Sequence, residues 1–357
     1  MTTVWVLGAT GRGGRAIAQA LAASGTDVVL VGRDQGKLDE LAHFLASSTR
    51  TEVAFGAAEL AALIVDQTPT VVVNTVGPFT DTTLPLARAS LAAGSHYIDL
   101  ANELDPVREL LELDPVARDR GVTAVTGAGF GVLATEALTL ELRGGREPAA
   151  RARVAALPAV ESLGPTVLAS LIDAVASGGR RYRDGRLVRH RLGAESESIP
   201  LPGLPPRPAV GVPTGELEAA SRGSGAGDVL AYSSEVPSGR IVRALLPGVS
   251  AVLAVEPIRA RLKGLARRLR LTLPVTPGTA SWAYARLEWA DGTHREAWLS
   301  TGEAYHFTAR VVALIAIRLR DGSAPPGAYT PGALFGADLA RQAGGKIITE
   351  PAIPVSS

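Results

Sequence analysis

Four side chains able to hold or move a proton fall within eight residues: His96, Tyr97, Asp99 and Glu103. His96–Leu100 reads as a buried strand, and the two-residue period puts Tyr97 and Asp99 on one face of it. A phenol beside a carboxylate, with Glu103 just past the strand, can orient a polar substrate or donate a proton to an atom that is accepting electrons. The competing reading makes Tyr97 a core residue with a bonded hydroxyl and Glu103 a helix cap.

The strand before it ends unusually. VVVNTVGPF, Val71–Phe79, passes from buried β-branched residues straight to an amide and a hydroxyl, Asn74 and Thr75, and then to a Gly-Pro corner. In an open parallel sheet, ligands lie across the carboxyl ends of the strands. On that rule Asn74 and Thr75 offer hydrogen bonds to a sugar or a carboxamide. Val76 and Gly77 give close backbone approach, Pro78 stiffens the corner, and Phe79 forms a wall for a flat ring. The alternative is an ordinary turn leading into a helix.

A third cluster says what the ligand is. LGATGRGG, Leu7–Gly14, joins the first strand to the first helix, with glycines at 8, 11 and 14. Gly8 permits the turn, Gly11 lets backbone N–H groups approach a pyrophosphate, and Gly14 allows the helix to pack closely on the sheet. Gly8, Ala9, Thr10, Gly11, Arg12 and Gly13 are therefore the expected dinucleotide contacts. Arg33 ends the second strand, where an acidic residue would bind the ribose of NAD. A guanidinium there suits a 2′-phosphate, and Lys37 and Arg12 add charge, so NADP(H) is the expected cofactor. Asp34 leaves a ribose contact open.

These clusters need a scaffold, and the first 130 residues supply one. Short apolar strands alternate with amphipathic helices, which predicts a doubly wound parallel α/β domain. Beyond about Ala137 the pattern changes to strands at Arg153–Leu157, Arg186–Leu192 and Val229–Val236, with a helix at Thr166–Ala176. Pro200–Pro213 reads as a proline-rich surface loop. Trp282–Trp289 alternates and meets His294–Leu299 through Asp291-Gly292, a hairpin signal. A tryptophan-bearing sheet face needs a cover, so a homodimer contact or a roof over the substrate is expected there. Gly302–Arg320 reads as a last long helix opened by Tyr305 and His306. Tyr305 would reach the substrate if that helix returns to the cofactor; the alternative is a packing role.

Composition narrows the chemistry. The chain has 357 residues, 46% of them hydrophobic, and a net charge of +1, which fits about two domains and argues against nucleic acid as partner. Zero cysteines exclude thiolate catalysis and cysteine zinc sites and suit a cytoplasmic protein. With the first strand starting near Thr3, no signal peptide is expected. None of the six tyrosines has a lysine four residues on, and the five histidines form no close metal-binding pair, so no metal is expected. IRARLKGLARRLR, Ile258–Arg270, is a basic amphipathic helix whose Ile258, Leu262, Leu265 and Leu269 form one stripe. The expected arrangement packs that stripe on its own domain with the basic face solvated. The sharper alternatives are an anionic membrane surface or a carrier protein.

Taken together, VVVNTVGPFTDTTLPLARASLAAGSHYIDLANE and GVTAVTGAGFG resemble the saccharopine dehydrogenase (saccharopine reductase) family. Its pattern runs from a strand into N-x-x-G-P-F, then H-Y-x-D-x-x-x-E, then G-x-G-F. The likeness extends through the late YTPGALFG to actinobacterial members described as trans-acting enoyl reductases. It implies a Rossmann domain (1–136), an inserted α+β substrate or dimerisation domain with an antiparallel sheet (137–301), and C-terminal helices returning to the Rossmann side (302–357). Two departures stand out. Ala101-Asn102-Glu103 replaces the usual T-G-E, and Gly131 replaces the aspartate of G-F-D, which counts against simple transfer of an amino-acid substrate. The expected activity is NADPH-dependent reduction of an enoyl C=C or imine C=N in a small or carrier-linked metabolite of secondary or lipid metabolism. The alternative is a catalytically silent NADP-binding regulator.

Overall fold

Runs such as VWVL (β1, Val4–Leu7) and VVVN (β4, Val71–Asn74) are buried at every position, an environment that only a sheet covered on both faces provides. The computed structural model describes residues 3–45, 49–159, 172–268 and 280–349, and the chain divides into two units. The first comprises Met1–Ala101, Asp105–Phe130 and Tyr305–Leu334. Its strands β1, β2 (Val28–Gly32), β3 (Arg50–Val53), β4, β5 (His96–Asp99) and β6 (Thr123–Val125) join a late strand, Gly327–Tyr329, in one seven-stranded sheet. Every pairing in it is parallel, and the order is β3-β2-β1-β4-β5-β6 followed by the late strand. The chain builds outward from β1 through β3 and then returns to β4 on the other side. The switch point therefore lies between β1 and β4, where Leu7 is in register with Asn74.

Helices α1 (Arg12–Ala23), α2 (Gln35–Phe44), α3 (Gly56–Gln67), α4 (Phe79–Ala92), α5 (Leu104–Leu111) and α6 (Asp114–Asp119) follow the strands in turn. α4 begins five residues before the Leu84 start that propensity favours. Its threonines are poor helix formers but their hydroxyls bond into the corner, with Thr82 Oγ1 donating to the Val76 carbonyl at 2.6 Å.

The second unit comprises Asn102–Leu104, Gly131–Ala304 and Phe335–Ser357. After α7 (Phe130–Arg143) come β7 (Arg151–Leu157), β8 (Gly179–Arg183), β9 (Arg186–His190), β10 (Ser196–Leu201), β11 (Leu204–Gly211), α8 (Gly215–Ser224) and β12 (Asp228–Ser233). Then follow α9 (Arg240–Leu253), α10 (Glu256–Arg268), β13 (Ser281–Glu288), β14 (His294–Thr301) and α11 (Ala304–Arg320). The late strand of the first unit is β15, and Lys346–Thr349 is β16. The sheet is mixed: β7 and β12 are parallel, while β13 and β14 form the expected antiparallel hairpin. The chain end is divided. Tyr305–Leu334 belongs to the first unit, whereas β16 pairs with β14 in the second.

Several expectations are corrected. Pro200–Pro213 is not a loop but most of the β10–β11 hairpin. Pro205, Pro206 and Pro208 lie where β11 pairs only with β10, because β12 meets it solely at Val210 and Gly211, so one side of that stretch needs no ladder donor. Trp282, Trp289 and Trp298 are all buried within the chain, so the tryptophans themselves are not left bare for a dimer contact or a substrate roof to cover. The stripe of α10 is also reversed: Ile258, Leu262 and Leu265 are exposed, and Lys263 is buried. Of the helix expected at Thr166–Ala176, residues 172–176 are helical; 166–171, like Leu269 and Arg270, lie outside the described residues.

Candidate functional site

The glycine loop leaves β1 through Gly8, whose φ of +76° favours glycine, and a Cβ there would lie 2.9 Å from Thr75 Oγ1. A Cβ on Gly14 would sit 2.3 Å from the Gly8 carbonyl oxygen, so α1 rests directly on the turn. Gly11 caps α1, with no side-chain cap and no acidic residue in the first turn. The helix thus presents uncapped N–H groups and the positive end of its dipole, a place for a pyrophosphate. These features fit the expected dinucleotide. Arg12 lies over the Tyr305 ring at 4.2 Å from its centroid, and a Cβ on Gly13 would reach the same ring at 3.9 Å. Arg12 is held beside the loop, and the long helix does return Tyr305 to this side of the unit.

Beyond β2, a cavity of about 350 Å³ is lined by Thr10, Arg33, Asp34, Lys37 and Phe55. Asp34 caps α2 by accepting from Lys37 N at 3.2 Å and pairs with Lys37 Nζ at 3.1 Å. The Lys37 backbone N–H and then its ammonium hold the Asp34 carboxyl below the usual range. Asp34 is thereby engaged as a cap, while the exposed Arg33 guanidinium borders the cavity. Phe55 was missed by sequence reasoning. It is 58% exposed, an unusual setting for an aromatic ring, and its place just beyond β3 was the available signal.

The β4 corner differs from expectation. Asn74 is fully buried and its amide is used internally: Nδ2 donates to Tyr97 Oη at 3.0 Å and Thr82 Oγ1 at 3.3 Å, and Oδ1 accepts from Val76 N at 2.9 Å. Its side chain is thus not presented to a ribose. Thr75 Oγ1 donates to the Leu7 carbonyl at 2.7 Å, tying the corner to the glycine loop. Phe79 is not a wall for a flat ring; it packs with Ala101, Val107 and Leu111. The partly exposed members of the corner are Thr75, Val76 and Gly77, and the Gly77–Pro78 peptide is cis.

Behind the corner, Tyr97 and Asp99 are both 0% exposed. Asp99 accepts five hydrogen bonds: Thr83 Oγ1 (3.0 Å), Tyr97 Oη (3.2 Å), Ala101 N (3.1 Å), Thr126 Oγ1 (2.8 Å) and Gly127 N (3.2 Å). Burial raises its carboxyl above the ordinary range, against the hydrogen bonds that favour its ionised form. Burial and then the Asp99 charge raise the Tyr97 phenol well above its usual value. His96 Nδ1 accepts from Thr123 N at 3.0 Å, and burial lowers its pKa. The spacing argument thus correctly put Tyr97 and Asp99 side by side, but on an enclosed face.

Glu103 belongs to the second unit. It bridges Thr214 through the backbone, and Glu103 Oε2 accepts from Asn102 N at 3.1 Å. Asn102 also accepts from Gly215 N at 2.7 Å, docking this strand fragment on the start of α8. With its amide turned to donate, Asn102 Nδ2 lies 2.8 and 3.2 Å from the two oxygens of Glu216, a buried residue of the first turn of α8. Burial raises the Glu216 carboxyl, and the Glu103 charge adds to it. Glu216 was invisible to sequence reasoning, being more than a hundred residues from Glu103. Among the described residues no group of three metal-ligating side chains occurs.

Comparison with known proteins agrees with this geometry. Residues 4–125 match the family model for the saccharopine dehydrogenase NADP binding domain. Over 218 residues the chain is 30% identical to a Mycobacterium tuberculosis (strain ATCC 25618 / H37Rv) protein provisionally named a trans-acting enoyl reductase, covering 56% of this chain and 52% of that protein. Its counterpart in strain CDC 1551 / Oshkosh matches equally. The chain therefore spans about half the length of these relatives. Its fold is similar to that of saccharopine dehydrogenase (L-Glu forming) from Saccharomyces cerevisiae, with a TM-score of 0.59 at 15% identity over 98% of this chain and 100% of that one. The glycine loop, the uncapped helix and the basic cavity beside Arg33 thus all lie within the residues that match the saccharopine dehydrogenase NADP binding domain.

Proposed function

We propose that the protein is an NADPH-dependent reductase that delivers hydride to an activated double bond, an enoyl C=C or an imine C=N, of a small or carrier-linked metabolite. The observation that carries this reading is the tie between glycine loop and β4 corner, Thr75 Oγ1 to the Leu7 carbonyl at 2.7 Å, at the switch point of an NADP-binding sheet. Bound NADPH supplies the hydride. The uncapped start of α1 receives the pyrophosphate, Arg33 and Lys37 the 2′-phosphate, and Phe55 gives the adenine a face. Val76 and Gly77 meet the nicotinamide end. Asn74, Tyr97 and Asp99 act as positioning residues that hold the corner from behind. The name of the mycobacterial relatives supports the enoyl arm of the proposal.

The test is NADPH oxidation with enoyl thioesters and with preformed imines, using cofactor deuterated on either face of the nicotinamide. Deuterium from one face only, in the product of one substrate class, is the expected result. Stoichiometric NADPH binding without turnover on either class would favour the silent regulator. Glu103→Gln in the same assay reads whether the second unit's carboxyl pair takes part in turnover.

A further inference from the structure

Helix α9, RIVRALLPGVSAVL, carries one broad apolar arc, and only part of it packs inward. Leu246 and Leu253 pack inward with Val175, Leu192, Val210 and Val236. Ile241, Leu245, Val249 and Val252 recur every three or four residues along the adjoining part of the arc, and they are 77, 60, 45 and 52% exposed. Helix α10 follows at a bend of 109°; Val255 in the link and Ile258, Leu262 and Leu265 on α10 are all exposed. Among its described side chains the buried one is Lys263, whose Nζ lies 2.7 Å from Asp173 Oδ2, with Arg259 Nε 3.8 Å from the other oxygen. That ion pair fixes α10 with charge inward and aliphatic side chains outward, the reverse of an ordinary surface helix. Around these apolar residues the segment is cationic: residues 240–268 hold seven Arg and Lys against one acidic residue, Glu256. Arg240 and Arg261 are exposed.

We propose that α9 and α10 form a docking surface for a bilayer rich in anionic phospholipid, with the aliphatic side chains at the acyl boundary and the basic residues at the lipid phosphates. Among the described residues no single helix is long and apolar enough to cross a membrane; α9 and α10 reach that length only as a pair bent by 109°, and the basic residues spread along both helices favour an interfacial contact. A second copy seated on this surface would set two cationic faces against each other. Protein partners are usually anchored by Trp or Tyr, and residues 240–268 contain neither. The inference is independent of the reductase reading.

The experiment is co-sedimentation of the full chain with phosphatidylcholine vesicles, with and without phosphatidylglycerol. Expected are binding to the anionic vesicles, binding at least about tenfold weaker on the neutral ones, and release by high salt, which screens the phosphate contacts. The triple variant Ile241→Glu/Leu245→Glu/Leu262→Glu should lose vesicle binding at least about tenfold. Its fold is checked by NADPH affinity equal to wild type. Equal binding to both vesicle types, or binding undiminished in the variant, would overturn the proposal. So would absence of vesicle binding together with a dimer, or an acidic carrier-protein complex, that the variant abolishes.

Discussion

Gly131 and Glu216 fit together with no room for another atom: a Cβ at Gly131 would lie 2.2 Å from Glu216 Oε1. In the saccharopine dehydrogenase-like pattern an aspartate often follows the Gly-Phe pair. Here the backbone is bare and α8 brings a carboxylate beside it. Gly131→Ala should push that carboxylate away from Asn102 and destabilise the protein by about 1–3 kcal/mol. Combined with Glu216→Ala, the cost should be less than the sum of the singles. Denaturant unfolding of the two singles and the double gives the coupling; strict additivity would separate the two residues.

Cofactor choice should divide by residue. Arg33→Ala is expected to weaken NADPH by about 1.5–3 kcal/mol, the worth of a charged hydrogen bond, and NADH far less. Phe55→Ala should weaken both equally, because the adenine is common to them. Titration calorimetry with the two cofactors decides, and a wild type that binds them equally well would remove the role given to Arg33.

Tyr97→Phe removes one of the two acceptors of Asn74 Nδ2 and one donor to Asp99, both buried. A loss of about 1–3 kcal/mol in stability is expected, with NADPH affinity close to wild type. A lower kcat at unchanged KM would indicate that the corner's placement matters to turnover. A variant with wild-type stability would show the enclosed hydroxyl to be dispensable.

Stability should also depend on pH through Glu235. Burial first, then the Glu216 charge, push its carboxyl up to about 7 from 4.5, with the Ser233 hydroxyl pulling the other way. The folded chain therefore binds this proton more tightly than the unfolded chain. The resulting stabilisation is complete below about pH 4.5 and is lost as pH rises through about 7. Unfolding free energies across that window should fall less steeply for Glu235→Gln. Parallel curves for variant and wild type would show that Glu235 is not the group responsible.

The parallel sheet and the glycine loop were legible because buried strands and dinucleotide turns impose local composition. The Asp291-Gly292 hairpin was legible for the same reason, and all eight β13–β14 pairs follow from that turn. Other features depended on neighbours. The prolines of β11 looked like a loop because nothing local says that β12 leaves that stretch uncovered. Asn74 looked ligand-facing because the strand-end rule gives the place of a residue and not the direction of its side chain. The reversal of α10 hangs on Asp173, ninety residues away, which takes Lys263 into the interior.

The enclosed Asp99 has a kinetic consequence. The amides of Ala101 and Gly127 lie beyond the ends of β5 and β6, where loop amides ordinarily exchange hydrogen within seconds to minutes. Both donate to a carboxylate with no solvent exposure, and Val76 donates to the equally buried Asn74. Their exchange should be as slow as that of the strand amides beside them, since opening any of them requires breaking the shared network. The corner is then ordered before a dinucleotide arrives. Association need not wait for a loop to settle, and little conformational entropy is lost at that end of the cleft when the ligand binds.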